Sequence, residues 1–184
     1  MDLILWIILA VFVFFILMFV YYFNRFVTLG NVIENSLSQI DVQLRKRADL
    51  VPNLINSVKG YVKHEKGIIK DITNAREAML SATTIQQKVK AGSELQSALK
   101  SIFALAENYP VLKANENFLQ LQQELAAIED KVAYARQHYN DSVLSFNNSV
   151  ATFPGAFFAK LYSKQKKEFL QISQEARIVP KVDF

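Results

Sequence analysis

The chain contains no cysteine. That absence removes disulfides, thiolate zinc sites, a cysteine nucleophile and a lipid-modified cysteine together. Glycine is scarce, with five scattered among 184 residues, so there is no phosphate-cradling P-loop, no GxGxxG turn and no GxSxG elbow. Histidine is limited to His64 and His138. His64-Glu65 begins like a zinc-binding HExxH, but Ile68 stands where the second histidine belongs, and a metal would have to recruit carboxylates such as Asp71. The serines accompany no His/Asp set. No catalytic residue, cofactor or metal ligand is therefore expected. Charge of one sign is not massed either: the net charge is +4, with bases spread among acids, and nucleic acid is not an expected partner.

What is present is a long apolar run. Leu3–Phe23 holds 21 residues with no charge, glycine or proline, and sixteen of them are Leu, Ile, Val or Phe. As a helix it would be about 30 Å long, the thickness of a bilayer's hydrocarbon core. Insertion of those sixteen is favourable by roughly 5–10 kcal/mol before end effects. A cleaved signal peptide needs a basic start, a shorter run and a small-residue cleavage site; here only Asp2 precedes the run and YYFNRF follows it. Residues 1–28 are therefore expected to be a retained single-pass anchor, with Tyr21, Tyr22 and Arg25 at the membrane interface. Arg25, Arg45, Lys46 and Arg47 all follow the run, so the positive-inside rule leans toward a cytoplasmic domain in a cell membrane.

The remainder, residues 29–176 with a tail at 177–184, reads as all-α: an antiparallel long-helix, four-helix-like bundle. Ile33, Leu37, Ile40, Leu44, Val51, Leu54, Val58, Tyr61, Ile68, Ile72, Ala75 and Met79 alternate spacings of four and three wherever the seam is apolar, predicting one helix over 29–81. Pro52 is expected to kink it, and Gly30 is its likeliest weak point. Arg47 and Glu65 occupy core positions and each needs an opposite charge from another helix. A second stripe of Ser57, Gly60, His64, Gly67 and Asp71 offers close packing for a helix or subunit. Ser93 and Gln96 have capping-box spacing for a helix over 93–108. Phe118 to Phe153 repeats cleanly, predicting a helix over 114–151, and the aromatic-basic segment FPGAFFAKLYSKQKK opens a last helix at 156–176. That segment could lie in a membrane interface with its lysines toward anionic headgroups, or close the bundle with its aromatic face; simple up-down connections would start it at the end far from the bilayer, which favours packing.

Several stretches together resemble the LemA family. They include Ile40 to Leu54 (IDVQLRKRADLVPNL), Val58-Lys59-Gly60-Tyr61 with His64-Glu65, Ala106-Glu107-Asn108-Tyr109-Pro110, Leu112 to Asn115, Leu121-Gln122, Glu124-Leu125, Ala135-Arg136, Tyr139-Asn140 and Phe153-Pro154. The resemblance implies an N-terminal anchor and a bundle built around a long bent helix. It implies no established biochemical activity, although a magnetosome branch is associated with shaping membrane compartments. Some relatives start with a lipid-modified cysteine; this chain has none, so their topology does not transfer. Glu65 and Arg136 both fall in these motifs and are expected to pair. The expected function is a membrane-anchored scaffold that self-associates into a homo-oligomer on the bilayer; the alternative is an adaptor or regulator of another membrane protein, such as a protease or signalling complex.

Overall fold

A computed structural model describes residues 2–61 and 65–170. Six helices follow one another: α1 (Asp2–Lys59), α2 (Lys66–Ser81), α3 (Ile85–Ala106), α4 (Pro110–Lys113), α5 (Glu116–Ala151) and α6 (Gly155–Leu161). No strand occurs among the described residues. The chain divides into two units: one joins the residues up to Ser36 with Gln137–Phe169, the other holds Leu37–Arg136 and Leu170.

α1 continues without interruption from the apolar run into the heptad region, through both Gly30 and Pro52. Proline has no N–H to give the carbonyl four residues earlier. That carbonyl belongs to Ala48, which is completely buried, and it accepts a hydrogen bond from Nε of Arg76 at 2.8 Å. A side chain of α2 thus supplies the donor that Pro52 withholds. Arg76 lies in the second half of α2 and Ala48 about three turns back from the end of α1, so α2 runs antiparallel to α1.

The single helix expected over 29–81 is therefore two. α1 stops at Lys59, and Gly60 and Tyr61 form a turn closed by the Tyr61 N–H on the Val58 carbonyl (2.9 Å). Glycine costs about 1 kcal/mol within a helix, which makes Gly60 a natural place to stop. Residues 62–64, His64 among them, lie outside the described residues. Both halves nonetheless bury the stripe read from the sequence: Ile40, Leu44, Val51, Leu54 and Val58 from α1, Ile72 and Met79 from α2.

α3 also starts earlier than its expected boundary. Its capping box is Thr84 with Gln87: the Thr84 hydroxyl accepts from the Gln87 N–H at 3.3 Å, and Gln87 Oε1 accepts from the Thr84 N–H at 3.2 Å. Ser93, the expected cap, instead donates to the Val89 carbonyl within the helix. Asp41 meets Lys88 at 2.5 Å and Arg47 meets Gly92 at 3.1 Å, so α3 runs parallel to α1. α5 is antiparallel to α1 in both units: Arg47 meets Glu129 and Tyr61 meets Asn115 in one, Ser36 meets His138 and Arg25 meets Ser149 in the other. The expected C-terminal helix over 156–176 is shorter, since α6 ends at Leu161 and residues 164–170 are not helical. That stretch is held by Asn147, whose side chain donates to the Lys167 carbonyl (2.9 Å) and accepts its N–H (2.8 Å). The remainder of that expected helix and the 177–184 tail lie outside the described residues.

The Arg76 contact makes a coupled prediction. Arg76→Leu leaves a buried carbonyl unsatisfied and should cost about 1–3 kcal/mol. In a Pro52→Ala background the α1 backbone serves Ala48 itself, so the same change should cost clearly less. Urea denaturation followed by circular dichroism in detergent measures both; equal losses would refute the role given to Arg76.

Candidate functional site

The first unit contains the end of the apolar run. From Leu3 to Leu17 every residue of α1 is exposed, and its most apolar 18-residue window has a mean hydropathy of 3.3 with none of it buried. Among the described residues α1 is the one helix long and apolar enough to cross a membrane. Contacts begin where that run ends. Tyr22 stacks on Phe158 of α6, with ring centroids 5.0 Å apart and planes within 8°. The Tyr162 hydroxyl donates to the Phe19 carbonyl at 2.8 Å, and its ring meets those of Phe19, Phe23 and Phe26 edge-on. Arg25 donates to the Ser149 hydroxyl (3.0 Å) and to Tyr21 (2.9 Å).

The residues expected at a membrane interface, Tyr21, Tyr22 and Arg25, are thus gathered with α6. This corrects the expected position of the aromatic-basic segment. Breaking the long helix at Gly60 adds one crossing of the bundle, so α5 returns toward the apolar run and α6 begins beside it. Gly155 makes the approach feasible: a Cβ there would stand 2.1 Å from the Ser149 carbonyl oxygen and 3.1 Å from Tyr22. Further along α1, Ser36 gives its single hydroxyl proton to the Val32 carbonyl, leaving it to accept from Nδ1 of His138 at 2.8 Å. The Tyr139 hydroxyl donates to the Glu168 carbonyl (2.9 Å), and its pKa is raised, first by burial and then by the Glu168 charge.

The second unit is centred on Arg47, which is 2% exposed. It forms an ion pair with Glu129 of α5 and donates to the Gly92 carbonyl of α3, so one guanidinium ties three helices. Burial lowers its pKa, and the Glu129 carboxylate, by charge and hydrogen bond, works in the opposite direction. A groove of about 280 Å³ opens beside the pair, walled by Leu99, Phe103, Leu125 and Ala126.

Glu65 stands at the N-cap of α2 without a side-chain capping bond, and Arg136 lies on α5. The small-residue stripe is divided by the chain reversal. Ser57 lies in α1, where it donates to the Asn53 carbonyl, Gly60 lies in the turn, Gly67 and Asp71 lie in α2, and His64 is outside the described residues. The described residues contain no cluster of three His, Asp or Glu able to hold a metal. Glu129 and Gly92 were not singled out in the sequence, and Gly155 only as part of the Phe153-Pro154-Gly155 stop after α5.

An exposed apolar helix leading into a helical domain defines the class as membrane-associated and all-α. The chain belongs to the LemA family, which it matches over residues 36–184. It is similar to Protein LemA of Metamycoplasma hominis, at 27% identity over 67% of this chain and 57% of that protein. It is also similar to Magnetosome protein MamQ of Magnetospirillum gryphiswaldense (21% identity, 80% of this chain, 64% of that protein). Magnetosome protein MamQ 2 of Paramagnetospirillum magneticum is similar at 20% identity over 81% of this chain and 64% of its own length. The chain therefore spans about three-fifths of the length of these curated relatives.

Two substitutions test the geometry. Glu129→Gln strands the buried guanidinium; because the Glu129 side chain is 36% exposed, the loss should be about 2–3 kcal/mol, below the ~3–5 kcal/mol of fully buried pairs. Arg47→Met with Glu129→Leu should recover most of it in thermal melts. Gly155→Ala should cost about 1–3 kcal/mol in the same melts by overpacking against the Ser149 carbonyl, and an unchanged melting temperature would refute that close approach.

Proposed function

We propose that this chain is a single-pass, membrane-anchored scaffold that self-associates on a cell membrane, with no catalytic activity of its own. The observation that carries the reading is the apolar window of α1, none of which is buried. Such a surface is stable only in lipid or against other apolar helices. Several charged groups of the domain join helices: Arg47 with Glu129, Asp41 with Lys88, and Arg76 with the Ala48 carbonyl. The outer side of α5 offers a surface for a second copy: Leu119, Ala126, Ala133 and Tyr134 are exposed within about 100° of arc. That several relatives are magnetosome proteins fits a role in organising membrane. The basic residues after the apolar run lean toward a cytoplasmic domain.

An adaptor role is the second reading, favoured by the apolar groove beside Arg47, which fits a side chain from a membrane-protein partner such as a protease or signalling complex. Mass photometry of detergent-extracted protein across a dilution series separates the two. The scaffold should give assemblies larger than one chain, reduced to monomer by Leu119→Glu with Tyr134→Glu. A strict monomer co-purifying with a partner at fixed ratio would replace it with the adaptor.

A further inference from the structure

α6 is amphipathic in an unusual setting. Its packed side carries Gly155, Phe158 and Ala159, all buried against the first unit. Its open side carries Ala156, Phe157, Lys160 and Leu161, at i, i+1, i+4 and i+5. Phe157 is 65% and Leu161 57% exposed, and Phe153, just before the helix, is 90% exposed. Three large apolar side chains on one short stretch would be poorly placed in water. Their level explains them. Tyr162 is hydrogen-bonded to Phe19, four residues before the end of the apolar run and so about 6 Å inside it along the helix axis. That depth falls within the roughly 5–10 Å at which interfacial helices bury their apolar face.

The charges agree with that position. Lys160, Lys164 and Lys166 are exposed on or directly after α6, and Arg25 lies on the adjoining turn of α1. Against them the first unit sets the exposed acids Glu34, Asp141 and Glu168. Lys160 is within the open side itself, while Lys164 and Lys166 follow it past the turn at Ser163.

We infer that α6 is a second membrane contact: a foot whose Phe153, Phe157 and Leu161 enter the headgroup–acyl boundary of the bilayer that α1 crosses, with Lys160, Lys164 and Lys166 on anionic lipid headgroups. This rests on the reading of α1 as a membrane span. The foot is continuous with the span through the Tyr22–Phe158 stack and the Phe19–Tyr162 bond, so a lipid surface at residues 19–23 reaches α6 as well.

Depth-dependent fluorescence quenching tests it on the full chain in phosphatidylcholine–phosphatidylglycerol vesicles with brominated acyl chains. The native Trp6, the chain's one tryptophan, reports on the span. Phe157→Trp in a Trp6→Phe background reports on the foot, and Leu161→Trp repeats the measurement at a second exposed position. The indole at either position should be quenched most by bromine near the headgroup end of the acyl chain. Brominated phosphatidylglycerol should quench about twofold more than brominated phosphatidylcholine at equal mole fraction, and the combined Lys160→Gln, Lys164→Gln and Lys166→Gln change should abolish that preference. Quenching of Trp6 without quenching at 157 and 161 overturns the foot and leaves the span standing. Absence of quenching at Trp6 overturns the span, and the foot with it. Quenching at 157 that rises as protein is diluted into lipid identifies a second copy as the occupant and also overturns the proposal, as does equal quenching by the two brominated lipids.

Discussion

The carbonyl of Ala48 has no donor in its own helix, because Pro52 stands where that donor would be, and burial denies it water. Arg76 resolves the deficit from outside. The bond is made possible by the chain reversal that delivers Arg76, and the direction of the rest of the chain depends on that reversal. Once α2 is laid back along α1, α3 must go out again and α5 must return. The C-terminal elements then arrive beside the apolar run and not at the opposite end.

The buried cation at Arg47 acts within the same unit. It engages Gly92 of α3 and Glu129 of α5 from a single position on α1, so it selects one register for each neighbour. Replacement of such a centre by apolar side chains often leaves stability unharmed, and its value lies in discriminating among alternative packings. Gly92 contributes by being small: a Cβ there would stand 2.6 Å from a Leu44 methyl. The close approach brings its carbonyl within reach of the guanidinium. Removing one partner disturbs two interfaces together.

Much of this fold could be read from residue order. The apolar run, the stripe through Ile33, Ile40, Leu44, Val51, Leu54 and Val58, and the repeat through Phe118, Leu125, Ile128, Val132 and Phe146 all become buried or membrane-suited surfaces. The reversal at Gly60 could not be read in the same way. Both sides of it face one core, so Ile72 and Met79 keep the spacing that a continuous helix would have, and periodicity is blind to a change of direction. The capping box was visible but misplaced: Thr84-Ile85-Gln86-Gln87 satisfies the same spacing rule as Ser93 to Gln96, and it falls where the heptad pattern lapses after Met79. The placement of α6 depended on the number of crossings, so one missed turn moved it from one end of the bundle to the other. Arg47 was legible as a charge in need of a partner, whereas Glu129 became recognisable only when α5 was laid beside α1.

Arg25 bound to Ser149 and Phe19 bound to Tyr162 link positions 124 and 143 residues apart in sequence, and Tyr22 on Phe158 lies between them. A cylinder gripped at three levels cannot spin about its own axis. The compass bearing of Trp6, Phe12 and the other exposed apolar side chains is therefore dictated by residues far along the polypeptide. Torque applied to the apolar run passes into the first unit as it would through a keyed shaft.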